Sequence, residues 1–163
     1  MFCLVPSVLR ALDLAVDLGT AVTRVAPSEQ SLSEQPSKAL SKSALGHGVI
    51  VSRQATVEIL RPMLSTWRRA PFTKLRALAC APSDVSHEER QSIAECVRIA
   101  GASSVAIVPE PLAAAVGAGI DIASNHVKFL VDIGGGVTDC ALLYRGQVAT
   151  SFAARIGLSL IHI

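Results

Sequence analysis

The stretch Val127–Leu143, VKFLVDIGGGVTDCALL, decides the fold of this chain. It predicts an apolar strand over Val127–Val131, a tight turn, and a second apolar strand over Val137–Leu143. The turn follows Asp132 and consists of the consecutive glycines Gly134–Gly136. Because glycine has no Cβ, backbone N–H groups in such a turn can approach an anion closely, and a carboxylate at its mouth suits a cation. The sequence therefore predicts a site for a phosphate group and a metal ion at this turn.

A shorter copy of this arrangement lies near the start of the chain, in Leu12–Thr23, LDLAVDLGTAVT. Apolar and β-branched residues predict strands over Ala11–Val16 and Thr20–Val25, joined by a turn that carries Asp17 and Gly19. Each Asp–Gly turn alone is typical of an ordinary hairpin. Two of them on one short chain indicate a shared ligand.

Between the two turns the sequence becomes first irregular and then helical. Residues 27–48 are rich in serine and lack periodic apolar positions, so we expect a surface loop there. A helix follows and is expected to end near Arg69, with Pro62 kinking or splitting it. The apolar stripe of this helix consists of Val57, Leu60, Leu64 and Trp67.

The middle of the chain alternates between strands and helices. A strand over Leu75–Ala81 leads to Ser86 and Glu89, which have the spacing of a capping box at a helix start. That helix is expected to end at Gly101, and a strand over Ser104–Val108 follows it.

Glu110 lies between this strand and an alanine-rich helix predicted over Leu112–Ala118, with Pro111 at the first helical position. The last strand is predicted over Gln147–Ala154. This alternation of strands and helices indicates an α/β fold in which parallel strands are joined by right-handed crossovers.

Composition and charge narrow the function classes. The chain has 163 residues, of which 50% are hydrophobic and 4% aromatic, and its formal net charge is +2. So small a net charge argues against a nucleic-acid partner bound through its phosphates. The cysteines show neither the spacing of a zinc site nor a disulfide pattern, so we interpret Cys3, Cys80, Cys96 and Cys140 as free thiols.

The N-terminal segment, residues 1–10, is interpreted as a lead-in to the first strand, with a helix on a membrane surface as the alternative. Pro6 and Arg10 interrupt its apolar residues, and it lacks the early basic region of a signal peptide. No apolar run reaches the length of a spanning helix. We therefore expect a cytoplasmic protein, which in the alternative interpretation contacts the inner face of the membrane.

The two turns together suit a nucleoside triphosphate with Mg²⁺, which needs backbone donors for its phosphates and carboxylates near the water shell of the metal. Glu110, at the end of its strand, is placed to position an attacking water. The candidate phosphate-binding residues are Gly19, Thr20, Gly134, Gly135, Gly136 and Thr138, and the candidate metal-binding residues are Asp17 and Asp132.

Three segments resemble the phosphate-1, connecting and phosphate-2 motifs of the actin/Hsp70/sugar-kinase ATPase superfamily. They are DLGTAVT at 17–23, VPEPLAAAVGAGI at 108–120 and DIGGGVTD at 132–139. From Leu75 to Gly157 the chain most resembles the MreB-like family of bacterial actin homologues, which form rod-shape-determining filaments. The resemblance implies a ribonuclease-H-like, actin-type lobe with a mixed sheet flanked by helices. It also implies that the lobe binds ATP, with Mg²⁺ held through water.

By this resemblance, residues 11–122 form the first lobe, and residues 123–163 form the phosphate-2 hairpin and the start of an incomplete second lobe. Superfamily members usually carry two lobes that close over the nucleotide. We therefore expect a first-lobe portion or a shortened paralogue with weak ATP turnover. Val22 and Val137 stand where the motifs usually have Asn and Thr, which removes one side-chain donor from each turn.

Hypotheses from two classes stay open. One is an ATP-binding cytoskeletal protein that joins filaments of itself or of full-length relatives. The other is a non-catalytic interaction module that retains the fold of the lobe without ATP turnover. A sugar-kinase or Hsp70-type fragment is a third interpretation, for which no substrate-specific residues are seen.

Overall fold

The computed structural model describes residues 11–27, 32–39, 42–68 and 73–158. The predicted lead-in over residues 1–10 lies outside these ranges. The helices are α1 Arg53–Thr66, α2 His87–Ala100 and α3 Glu110–Gly117. The strands are β1 Ala11–Leu18, β2 Val22–Pro27, β3 Ser33–Pro36, β4 Lys38–Ala39, β5 Lys42–Ser43, β6 Leu45–Gly46, β7 Val49–Ile50, β8 Lys74–Ala81, β9 Ser104–Pro109, β10 Lys128–Ile133, β11 Thr138–Tyr144 and β12 Gln147–Ala154.

The larger sheet has five strands in the order β3-β2-β1-β8-β9. β1, β8 and β9 run parallel to one another, whereas β2 and β3 are antiparallel to their neighbours. Together with α1 and α2 this sheet forms the main core. The predicted mixed sheet flanked by helices is therefore confirmed. Among the fully buried side chains of this core are Leu14, Val16, Leu60, Leu64, Leu75 and Val97.

Local signals fixed the start of α2. The Ser86 hydroxyl accepts a hydrogen bond from the Glu89 N–H at 3.2 Å, and the Glu89 carboxylate accepts one from the Ser86 N–H at 2.7 Å. This reciprocal pair is the predicted capping box. The helix ends at Ala100 and is capped by Gly101, whose φ of +134° is open to glycine but strained for other residues.

One of the two effects predicted for Pro62 was wrong, because α1 is not split there and continues as a single helix. Met63 and Leu64 beside the proline are buried in the core. The position predicted for Pro111 was also wrong. α3 begins at Glu110, so Pro111 is its second residue and not its first.

The loop predicted over residues 27–48 is wrong in part. Ser33–Pro36 forms β3, which pairs with β2 at the edge of the large sheet, and β4 to β7 form two short antiparallel pairs. Ala44 and Leu45 are buried in the main core. A strand of mostly polar residues shows no local periodicity, so only its pairing with β2 identifies it.

The smaller sheet is the antiparallel meander β10-β11-β12. α3 packs between this sheet and the end of β9, and Ala115, Ala141 and Leu143 form a second core beneath it. The predicted hairpin around the three glycines is present. Among the described residues, no helix is both long and apolar enough to span a membrane.

Candidate functional site

A cavity of about 630 Å³ lies between the two Asp–Gly turns. One turn joins β1 to β2, the other joins β10 to β11, and Glu110 at the start of α3 also lines the cavity. The structure therefore brings together residues that are more than a hundred positions apart in the sequence. The predicted site residues that line the cavity are Asp17, Gly19, Thr20, Glu110, Asp132, Gly134, Gly135 and Gly136.

Thr138 is the predicted site residue that does not line the cavity. Its hydroxyl donates a hydrogen bond to the Ile156 carbonyl at 2.8 Å. The Thr138 side chain thus ties β11 to the segment that follows β12.

The glycines of the second turn allow the two turns to touch. A Cβ at Gly136 would lie 2.7 Å from Thr20 Oγ1, and a Cβ at Gly135 would lie 3.0 Å from the Ala21 Cβ. Real Cβ atoms do not reach the first of these distances. Glycine is needed here for close packing of turn on turn, in addition to the predicted approach of a ligand.

Gly157 and Leu158, which follow β12, pack against the second turn. A Cβ at Gly157 would lie 2.5 Å from both the Gly134 carbonyl oxygen and the Gly136 nitrogen, and the Leu158 N–H donates to the Gly134 carbonyl at 3.0 Å. The Gly134 N–H itself donates to the Val137 carbonyl at 2.8 Å. The Gly134 amide therefore closes the turn and does not face the cavity as a donor.

The first turn is held by residues from the segment that was predicted as a loop. The Ser37 hydroxyl donates to the Gly19 carbonyl at 2.5 Å, and the Ser37 N–H donates to the Ala21 carbonyl at 2.9 Å. The Gly48 N–H donates to Thr20 Oγ1 at 3.1 Å. Sequence reasoning missed these supports, since nothing local distinguishes Ser37 from the other serines around it.

Three carboxyl groups line the cavity and influence one another. Burial, followed by the charges of Asp17, Asp132 and Asp139, raises the pKa of Glu110 to about 7. Burial and then the charge of Asp17 also raise the pKa of Asp132. Such a concentration of negative charge favours a cation in the cavity.

Asp139 lies behind the second turn and is only 2% exposed. Its Oδ1 accepts a hydrogen bond from the Ser83 N–H at 3.2 Å, and its Oδ2 has no partner among the described residues. Burial raises the pKa of this carboxyl. Asp139 therefore contributes to the field at Glu110 from outside the cavity.

Arg24 is a cavity residue that sequence reasoning missed. Its Nη1 lies 3.2 Å from Asp17 Oδ2, and its Nε lies 3.4 Å from a Glu34 carboxylate oxygen. Asp17 and Arg24 are directly opposite each other in the β1–β2 hairpin. The predicted hairpin could have identified Arg24, because residues at equal distance from a tight turn face each other across the two strands.

The donor set fits a hydrated Mg²⁺ ion better than a directly bound metal. Among the residues of the described ranges, no three His, Cys, Asp or Glu side chains form a direct metal-binding group. Mg²⁺ usually keeps several of its waters and is held by one or two carboxylates together with phosphate oxygens. Asp17 and Asp132 at the mouths of glycine turns suit that arrangement.

The sequence profile of the MreB/Mbl protein family matches residues 32–159. The chain is 32% identical over 146 residues to the cell shape-determining protein Mbl of Bacillus cereus, covering 88% of this chain and 44% of that protein. It is 29% identical to the cell shape-determining protein MreB of Escherichia coli K12, covering 89% of this chain and 52% of that one.

The crystal structure of MreB 5 of Spiroplasma citri bound to AMPPNP superposes with a TM-score of 0.79 at 25% identity. The match covers 90% of this chain and 53% of that protein. The chain thus spans about half the length of the relatives that it matches.

Proposed function

Because the chain belongs to the MreB/Mbl protein family, we propose that its cavity binds the phosphates of ATP together with a hydrated Mg²⁺ ion. The family assignment confirms the resemblance seen in the motifs. One observation carries the proposal: two Asp–Gly turns face each other across a single cavity, with backbone and carboxylates on both sides. The related Spiroplasma protein, crystallised with AMPPNP, supports the choice of ligand.

Each turn has a proposed role. Asp17 and Asp132 would hold a hydrated Mg²⁺ ion, which would supply positive charge to offset that of the phosphate oxygens. The backbone around Gly19, Thr20 and Gly135–Gly136 lines the cavity and would lie against the phosphates. Glycine there leaves the room that the phosphates require.

Glu110 is proposed to orient the water that attacks the terminal phosphate. It is the first residue of α3, lines the cavity and titrates near neutral pH. A carboxyl group with such a pKa can accept a proton at working pH. We expect ATP binding to be weak and hydrolysis slow, because Val22 and Val137 offer no side-chain donor at the two turns.

Titration of the protein with a fluorescent ATP analogue in MgCl₂ tests the proposal. We expect saturable binding that Asp132→Ala weakens about tenfold or more, because the variant loses one holder of the metal. Asp13→Asn is the matched control, since this carboxylate lies on β1 outside the cavity and pairs with Arg76. Absence of binding by the wild type, or equal binding by Asp132→Ala, would overturn the proposal.

We further propose that the chain acts in a cytoskeletal filament of the cytoplasm, with itself or with full-length relatives as partners. The names of the Mbl and MreB relatives support a role in cell-shape determination. Co-sedimentation with a full-length relative under polymerising conditions tests this. Failure to pellet together would contradict it.

The alternative is an interaction module that retains the fold without ATP turnover. Val137 favours it, because this side chain is buried at the second turn, where the family motif usually has the hydroxyl of Thr. Val22 lines the cavity and likewise offers no donor. Binding of ATP without measurable phosphate release would support this alternative.

A further inference from the structure

Arg24 is the cation among the described residues that line the cavity, and it shares the cavity with three carboxyl groups. Its position follows from strand geometry. Thr23 and Val25 on either side of it are buried in the opposite face of the sheet, so Arg24 projects with Asp17 toward the cavity.

The contacts of Arg24 are weak compared with those of a similar arginine on the same sheet. Arg76 on β8 binds Asp13 on β1 through two hydrogen bonds of 2.6 and 2.7 Å. Arg24 reaches Asp17 with a single hydrogen bond of 3.2 Å, and its Nε lies 3.4 Å from a Glu34 carboxylate oxygen. Bonds between a guanidinium and a carboxylate are strongest when they are short and bidentate. The Arg24 guanidinium therefore retains capacity for a better acceptor.

A phosphate in the cavity would be such an acceptor. The planar, permanently charged guanidinium matches phosphate oxygens in geometry as well as charge. A polyphosphate that enters without Arg24 would meet the negative charges of Asp17, Glu110 and Asp132. Mg²⁺ and Arg24 would each offset part of those charges.

We propose that Arg24 forms a phosphate subsite of this cavity, in which it binds a phosphate of a nucleoside polyphosphate and releases Asp17 to the hydrated metal ion. This inference rests on the proposed function, because it concerns the same cavity. It goes further because it assigns phosphate binding to Arg24, which lies outside the three motifs that resemble those of the superfamily. It also predicts a property of the chain, namely that binding of ATP persists in part when Mg²⁺ is removed.

Isothermal titration with ATP, ADP and AMP, each in MgCl₂ and in EDTA, tests the subsite. We expect Arg24→Gln to weaken ATP binding about tenfold or more in EDTA, the loss that follows from one hydrogen bond to a charged group. The loss in MgCl₂ should be smaller, because the metal still neutralises the phosphates. AMP should show the smallest difference, since it lacks the polyphosphate.

Two further variants make the test specific. Arg24→Lys keeps the charge and should restore part of the binding in EDTA. Arg76→Gln removes an exposed arginine of the same sheet that lies outside the cavity, and should bind like the wild type. Thermal unfolding of each variant verifies that it is folded.

The outcomes separate this inference from the proposed function. Failure of the wild type to bind ATP in MgCl₂ would overturn both. Binding by the wild type that Arg24→Gln leaves unchanged in both buffers would overturn the Arg24 subsite alone. Tighter binding by Arg24→Gln would also overturn it, because Arg24 would then compete with the metal for Asp17.

Discussion

The two Asp–Gly turns are alike in sequence but differ in their surroundings. The first turn is attached to the large core, and its Asp17 is paired with Arg24. Ser37 bonds the backbone of this turn, and the Gly48 N–H donates to the Thr20 hydroxyl. The second turn belongs to the smaller sheet, and its Asp132 makes no ion pair with any residue in the described part of the chain. The same local motif thus places a carboxylate with an ion-pair partner on one side of the cavity and a carboxylate without one on the other.

This difference indicates a division of roles. Hydrogen bonds support the first turn, and a neighbouring arginine partly neutralises the charge of its carboxylate. The second turn is shaped by packing, because its glycines lie against Thr20 and Ala21 of the first turn and against Gly157. Its carboxylate has a raised pKa and gains most from an added cation.

The largest expected effect comes from breaking the contact between the turns. Gly136→Ala places a Cβ 2.7 Å from Thr20 Oγ1. We expect the free energy of unfolding to fall by about 1–3 kcal/mol, the usual cost of overpacking. ATP binding should weaken as well, because the two sides of the cavity move apart. Urea unfolding and nucleotide titration measure the two effects.

Gly117→Ala is the matched control for this substitution. It lies at the end of α3, where a Cβ would meet no atom within 4 Å. Alanine is favoured over glycine in a helix by about 1 kcal/mol, so this variant should be at least as stable as the wild type. If Gly136→Ala proved equally stable, the close contact between the turns would be refuted.

The second prediction concerns Glu110, which experiences the charge of both turns. Its pKa in the folded protein, about 7, exceeds the ordinary value of 4.5. Between these values the folded protein binds more protons than the unfolded chain, so this group's contribution to stability falls as the pH rises from about 4.5 to 7.

Glutamine does not ionise, so the Glu110→Gln variant should not lose this stability as the pH rises. In EDTA, its stability relative to the wild type should increase from pH 5 to pH 8 by on the order of 1–3 kcal/mol. Urea unfolding at several pH values measures the difference, and Glu58→Gln on the exposed side of α1 serves as the control. If the difference in stability between variant and wild type did not change with pH, the raised pKa of Glu110 would be contradicted.

The smallest expected effect comes from loosening the first turn alone. Ser37→Ala removes a hydroxyl that donates to the Gly19 carbonyl and also bonds the buried Thr23 hydroxyl at 2.8 Å. We expect a loss of stability of about 1 kcal/mol, since the Ser37 N–H still bonds the Ala21 carbonyl. Thermal unfolding measures it. Ser43→Ala, at an exposed position, should leave the melting temperature unchanged, and a similar loss there would contradict a specific role for Ser37.

Much of the fold could be predicted because its signals are local. The capping box at Ser86, the strand over Gln147–Ala154 and the glycine turn depend on residues within a few positions of one another. α1 is not split at Pro62, because burial of the neighbouring residues outweighs the effect of one helix-breaking residue. β3 was missed because its polar sequence becomes a strand only through its pairing with β2.

By itself, the sequence determined the two Asp–Gly turns, the alternating strands and helices, and the carboxyl groups of the candidate site. Each is encoded by neighbouring residues through backbone preferences and apolar periodicity. Only the tertiary structure decided how the turns meet, that Ser37 and Gly48 support one of them, and that Arg24 shares the cavity with Asp17. These contacts join residues on different strands or distant in the chain, so they form only when those segments pack together.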